Sequence, residues 1–342
     1  MKKYKLICVI LFLLILVSIV LATFIGSADI KFAQVIDIYK FKLHFLNTDL
    51  DDMGLYSIIW NIRLPRAIVA VLVGGGLALT GCIMQALTGN VMAEPYTLGI
   101  QSGAGMFAAF SIAFFSQIPI LGILGTNILA FIGAMISMIF VYIISSRDKA
   151  KSNSNLILIG ISISMLCNAI IQLIIAFAPD NAKIRSIVFW TMGGLGGAHW
   201  EDISLLFIVS IIGFIITYAL AEELNIISMG EETAIILGVQ LHKLNKILLV
   251  CVSVMVGAIV SISGSIGFVG LITPHIVRKI VGSDHKKLIP VATLTGSLFL
   301  VWADIVSRVI VAPKELPIGV ITSLIGVPFF LFIIKKRSRG VK

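Results

Sequence analysis

Asp304 and Arg308 combine a carboxylate and a guanidinium four residues apart in an otherwise apolar run. One helical turn separates them, so they share a face and read first as an internal ion pair. An ion or proton relay would need further ionisable groups in the spans, and acidic residues are nearly absent there. His275 follows Pro274 and could in principle be a ligand or base, but a hydrogen-bonded histidine at a helix start is the simpler reading. Glu94 and Glu315 precede helix starts, where a carboxylate complements the dipole. Pro95 and Pro274 suit first helical turns. The chain has no G-x-x-x-x-G-K-[ST] motif and no Gly-Lys pair at all, which excludes a P-loop. It also lacks H-E-x-x-H and G-x-S-x-G, so no catalytic residue is assigned. Cys8, Cys82, Cys167 and Cys251 fall singly in apolar runs and read as packing residues, with no metal site expected.

These residues must be positioned by membrane helices. Of 342 residues, 58% are hydrophobic and 13% charged, and the mean hydropathy is +1.08. That composition is an integral membrane protein's, all-α, with room for about ten spans in one domain, 1–342. Apolar runs lie near Leu6–Ile25, Ser57–Cys82, Tyr96–Phe115, Ile120–Ser145, Asn155–Phe177, Ile203–Ala221, Ile247–Ser263, Ile266–Val281, Leu288–Val309 and Ile318–Ile334. The first is too long for a signal-peptide core and reads as an uncleaved span. A polar, acid-containing segment, Asp29–Tyr56, separates it from the second.

The longest charged interruption late in the chain is Glu222–Lys246. Ser228 and Glu231 form an S-x-x-E pattern, expected to act as a capping box, and Gly238 is the expected left-handed stop. The helix between them, centred on Thr233–Leu237, is too short to span a bilayer. It suits a handle lying across the span ends, which is either a plain surface helix or a docking surface for a partner.

The net charge of +9 fits membrane orientation better than nucleic acid, because Lys and Arg gather at span ends. With both termini cytoplasmic, most of the 26 basic residues fall on the inner side, and the handle lies there too. Trp60, Trp190 and Trp200 then mark outer boundaries, as interfacial aromatics do. Arg63, Arg66 and Arg308 sit at outer span ends against the rule, so a local reason is required. Interfacial snorkelling and pairing with Asp304 would suffice; an external receiver for acidic side chains is the sharper reading. By span parity, a repeat relating spans two to five to spans seven to ten would be inverted, and glycines recur at comparable places (Gly74, Gly75, Gly76 and Gly81; Gly257, Gly264, Gly267 and Gly270).

Several motifs together resemble the iron-chelate and cobalamin uptake permeases of the ATP-binding-cassette class. In the first half they are Arg63-Leu-Pro-Arg66, Gly81-Cys-Ile-Met-Gln85, Ala93-Glu-Pro95 and Leu98-Gly99, and in the second half Met229-Gly-Glu-Glu-Thr-Ala234 and Leu237-Gly238. Gly267-Phe-Val-Gly-Leu271, Pro274-His-Ile-Val-Arg278, Ala303-Asp304 with Arg308, and Glu315-Leu-Pro-Ile-Gly319 complete it, while Trp190-Thr-Met-Gly193 to Trp200 fits the family's outer segment. The resemblance covers 57–334. Thr88-Gly-Asn-Val-Met-Ala93 departs from it by lacking a proline, which puts the turn between spans two and three in question.

The resemblance implies a permease subunit that moves a siderophore, haem or cobalamin inward. Its implied partners are a second copy or close paralogue, two cytoplasmic ATPases holding ATP and Mg, and an extracytoplasmic binding protein. No cofactor is implied in this chain. It further implies that Arg63, Arg66 and Arg308 dock the binding protein. Ser228, Gly230, Glu231, Glu232, Ala234, Leu237 and Gly238, within the segment 222–246, would couple to the ATPase, with the two glutamates outward and Ala234 and Leu237 packed. Spans five and ten would line the path, with Ile159, Ser162, Leu166, Ile170, Ile321 and Ile325 as candidates. A secondary carrier or efflux protein without ATPases is the alternative, but it lacks an ion-binding constellation, and an intramembrane enzyme lacks a nucleophile and base.

Overall fold

The structure is a computed structural model that describes residues 2–26, 30, 32–42, 53–115, 123–146 and 153–339. In chain order the helices are α1 (Lys2–Phe24), α2 (Phe32–Lys42), α3 (Met53–Tyr56), a π-helical stretch (Ser57–Arg63), α4 (Leu64–Thr88), a 3-10 turn (Pro95–Leu98) and α5 (Ile100–Phe110). A second π stretch (Ser111–Phe115) extends α5, followed by α6 (Ile123–Ser146), α7 (Asn153–Ala176), α8 (Asn181–Met192), α9 (Trp200–Ala219), α10 (Ala221–Ile227) and α11 (Glu231–Ile236). The chain then forms α12 (Leu241–Ser263), α13 (Val269–Val281), α14 (His285–Val309) and α15 (Ile318–Arg339). Among the described residues there is no β-strand, and seven helices are long and apolar enough to cross a membrane.

Each span expected from sequence holds a helix, with two differences of form. The eighth contains only the 13 residues of α13, roughly 20 Å of helix, because Gly264 to Gly267 run as irregular backbone before it. Pro274 therefore lies inside α13 and not in a first turn. Short helices also appear where no span was expected: α2 within the polar segment and α8 in the connection after α7.

Helix α4 is the axis of the bundle. It is continuous with α3 and the π stretch, and most of this helix is enclosed by the rest of the chain. Enclosure is possible because its glycines permit close approach. A Cβ on Gly81 would collide with the Gly270 carbonyl at the start of α13, so only glycine fits this contact. Gly74 meets Gly296 of α14 in the same way. The glycine runs noted in both halves thus pack against each other, at least at Gly81 and Gly270. One apolar cluster joins α4, α5, α6 and α12 with the buried face of α10, and a second joins α4 with α9 and α14.

The turn after α4 forms without the family's proline. Asn90 Oδ1 accepts from Met92 N at 3.0 Å, and Ala93 N donates to Asn90 O at 3.0 Å, so an asparagine turn replaces it. Pro95 does occupy the first turn of its short helix.

Candidate functional site

Three regions carry the expected site residues. At one end of the bundle, the end of α1, the start of α4 and the end of α14 converge. Arg66 donates from Nε to Asp304 Oδ1 at 2.8 Å and from Nη1 to Glu315 Oε2 at 2.8 Å. Arg308 pairs with Asp304 Oδ2 at 3.1 Å, the intrahelical pair that the spacing implied, and donates to Ala22 O at 3.0 Å. Arg63 donates to the carbonyls of Thr23 and Phe24 at 3.0 and 2.9 Å. Those carbonyls lie in the last turn of α1, where no following turn supplies donors. The structure thus brings the three arginines together, but it buries them at 3–5% exposure. Their fixed forks are engaged by α1, Asp304 and Glu315. Glu315, 41% exposed at its side chain, was read as a dipole partner and is in fact the outer counter-ion of Arg66. Trp200 Nε1 donates to Trp60 O at 3.0 Å, and the two rings lie 5.6 Å apart, so these boundary tryptophans meet.

The second region is a cavity of about 800 Å³ between α15, the break before α13 and the start of α5. Glu94, Gln101, Ser265 and Ser323 supply its polar lining, and Phe268 and Val327 part of its apolar lining. The backbone amides of Phe268 and Leu271 donate to the Glu94 carboxylate, so Glu94 caps α13 in space, not the short helix that follows it in sequence. Phe268 has φ 67°, the one positive-φ residue other than glycine among the described residues, and a bulky side chain there is strained by about 1–3 kcal/mol. Its ring lies against Gly326 of α15, where a Cβ would overlap it.

The path candidates on α7 and α15 lie in different surroundings. Ile321 is 4% exposed and belongs to the core. The cavity is lined instead by Val320, Ser323, Leu324 and Val327, the adjacent face of α15. Ile325 is exposed but does not line the cavity. On α7, Ser162 and Leu166 are exposed, whereas Ile159 and Ile170 are partly buried against core clusters. None of these four borders the cavity, to which Thr191 and Met192 of α8 contribute. Sequence reasoning missed Ser323, because a lone serine carries no periodic signal, and it placed Glu94 at the wrong helix start. His275 is also corrected: it sits in mid-helix with its Nε2 buried and without a hydrogen-bond partner, its ring edge-on to Phe329 at 6.3 Å.

The third region is the handle. Its short helix runs Glu231–Ile236, and Gly230 at φ 117° is the N-cap. The capping box does not form. Ser228 ends α10 and donates from Oγ to Leu224 O at 2.8 Å, which removes it from the α11 amides. Gly238 is left-handed at φ 81°, as expected. Glu231 and Glu232 point outward and Ala234 is fully buried, but Leu237 is 57% exposed and not packed. With Met229, Ile235 and Ile236 it makes an uncovered apolar ridge beside the two acids. Such a ridge, rimmed by charge, has the character of an interface.

The handle is fastened to α14. Asn225 of α10 accepts from His285 N at 2.8 Å, lies 2.8 Å from His285 Nδ1, and donates to Asp284 Oδ1 at 3.2 Å. Lys286 pairs with Glu222. That hydrogen bond and charge hold the Glu222 carboxyl below its ordinary value. A depressed carboxyl keeps its pair at neutral pH and loses it as pH falls.

Comparison with known proteins places this geometry. The model described as the FecCD transport family matches residues 13–336. The cobalamin import system permease protein BtuC of Halobacterium salinarum is 39% identical over 281 residues, 82% of this chain and 74% of the relative. The hemin transport system permease protein HmuU of Yersinia pestis is 38% identical over 296 residues, 85% and 86% of the two chains. A solved transporter assigned to the metal-chelate ABC type, in an inward-facing conformation, superposes with a TM-score of 0.81 at 29% identity, covering 97% of this chain and 99% of that one.

Proposed function

The chain belongs to the FecCD transport family, and from that premise we propose that it is the membrane permease subunit of an ABC importer for a bulky metal chelate: cobalamin, haem or a ferric siderophore. The observation that carries the proposal is similarity over most of the chain to permeases named for cobalamin and hemin. Family membership also sets aside the secondary carrier, whose ion-binding constellation is missing from the sequence.

In this reading two copies, or this chain and a close paralogue, enclose one path. The uncovered apolar faces of α7 and α15 support that arrangement, since Leu158, Leu166, Leu324 and Leu331 are each more than half exposed. The cavity beside α15 belongs to the path. Hydrolysis takes place on two ATPase subunits that hold ATP and Mg, and this chain carries no cofactor. The ridge and acids of α11 meet those subunits on the cytoplasmic side, where both termini also lie. A binding protein delivers cargo at the opposite end, around the arginine cluster.

The test is reconstitution of the permease with its ATPase and binding protein in proteoliposomes, supplied in turn with labelled cobalamin, hemin and ferric siderophores. ATP-dependent accumulation of one chelate is expected. Uptake without the ATPase, or accumulation of none of them, overturns the reading.

A further inference from the structure

A groove of about 290 Å³ lies between α6 and α12, away from the path and meeting the handle only at its last residue, Lys246. Its lining steps along α6 from Met135 through Met138 to Tyr142 and along α12 from Lys246 through Val250 to Val254. These stretches are about 10–12 Å long, so the groove runs parallel to the helices and hence along the membrane normal. Gly257 meets Met135, which sets the deep end. Tyr142 and Lys246 close the other end, on the side of the bundle that carries the handle. Ser253, also on the lining, is satisfied by donating to Leu249 O at 2.6 Å, so the wall between the two ends is effectively apolar. Ile139 and Val250 are both 56% exposed, which makes this an outward-facing groove and not an internal void.

We propose that this groove binds one acyl chain of an anionic phospholipid, whose phosphate is held by Lys246 with Tyr142 beside it. The charge pattern selects the occupant. Lys246 is exposed at the rim and no carboxylate pairs with it among the described residues, so a phosphate oxygen is its natural counter-ion. A lysine above an apolar slot presents a hydrocarbon stem to the chain and an ammonium to the head group. Tyrosine at the same level is amphipathic in the same sense. The volume lies at the low end of the range for compact ligands, and the narrow, elongated shape fits a chain. The site depends on the chain's being membrane-embedded, not on which chelate is carried.

Native mass spectrometry of the whole transporter released from nanodiscs tests it, with discs of phosphatidylglycerol and phosphatidylcholine in equal amounts. The wild type should retain phosphatidylglycerol selectively. Lys246→Gln should cut that preference by about fivefold, the weight of one lysine near an anionic surface, and Lys246→Arg should keep it. Val254→Phe, which fills the deep end, should reduce retention of both lipids, with the melting temperature of each variant showing that the fold is intact. Equal retention of the two lipids by the wild type overturns the head-group assignment. Retention unchanged by Val254→Phe in a folded protein overturns the groove itself.

Discussion

Arg66 and Asp304, 238 residues apart in sequence, are joined at 2.8 Å with both side chains almost fully buried. The bond ties the start of α4 to the end of α14, and Arg308 closes on the same carboxylate from within α14. Asp304→Asn should therefore leave two buried guanidinium groups short of one negative charge. A broken buried pair costs about 3–5 kcal/mol, visible as a large fall in the melting temperature of detergent-purified protein. A melting curve within error of wild type would show that the three-residue network does not hold the fold.

Glu315 poses the complementary question, because it neutralises Arg66 from the solvent side. If the arginine cluster attracts an acidic binding protein, Glu315→Gln removes a competing negative charge. Its pair is half in water and contributes at most about 1 kcal/mol to stability. Association of the binding protein should then quicken at low salt, by a few-fold, and the gain should fade as salt screens it. Association rates measured across a salt series decide the matter, and slower binding at low salt would assign docking to other residues.

The span order was legible in the sequence because about twenty apolar residues in a row admit few other structures. The Asp304–Arg308 pair was legible as well, since i,i+4 spacing is local. What sequence could not show was the direction in which polar groups point across the bundle. Arg63 and Arg66 looked external from span parity, yet their partners lie on α1 and α14, hundreds of residues away in one case. On α15 the apolar positions give no strong stripe that separates Ile321 from Val320, and packing of Gly319 and Gly326 against neighbouring backbone and Phe268 sets which face meets the cavity. The S-x-x-E pattern failed for a similar reason: Ser228 belongs to the preceding helix, whose carbonyl captured it.

Glu94 caps the short helix α13 from a distant loop and faces the cavity. Glu94→Gln keeps an acceptor for the Phe268 and Leu271 amides and should leave the melting temperature near that of the wild type. Glu94→Ala takes the carboxylate from the Phe268 amide, while Leu271 N still reaches Phe268 O at 3.2 Å, and should cost about 1–3 kcal/mol. Because this end of α13 adjoins the strained Phe268, the alanine variant should also impair uptake more than it impairs ATP hydrolysis. Parallel assays of both activities in proteoliposomes, beside thermal melts, would reveal this; an equal loss of the two would point to global damage alone.

Helix α14 connects the handle to the arginine cluster. Helix α14 has 25 residues, about 37 Å of rod. Asn225 grips its first residue through His285, and Arg66 grips Asp304 near its last turn. A push on α11 by an ATPase can thus reach the far end of the bundle without passing through flexible loop. Two substitutions separate contact from transmission. Glu231→Lys with Glu232→Lys reverses the outward acids and should weaken copurification with the ATPase, since like charges facing across an interface are costly. Asn225→Leu leaves the outward surface alone but removes the acceptor for His285 N and the donor to Asp284. It should copurify normally, hydrolyse ATP near the wild-type rate, and lose most uptake. Should Asn225→Leu transport as well as wild type, the clamp between α10 and α14 does not carry the stroke.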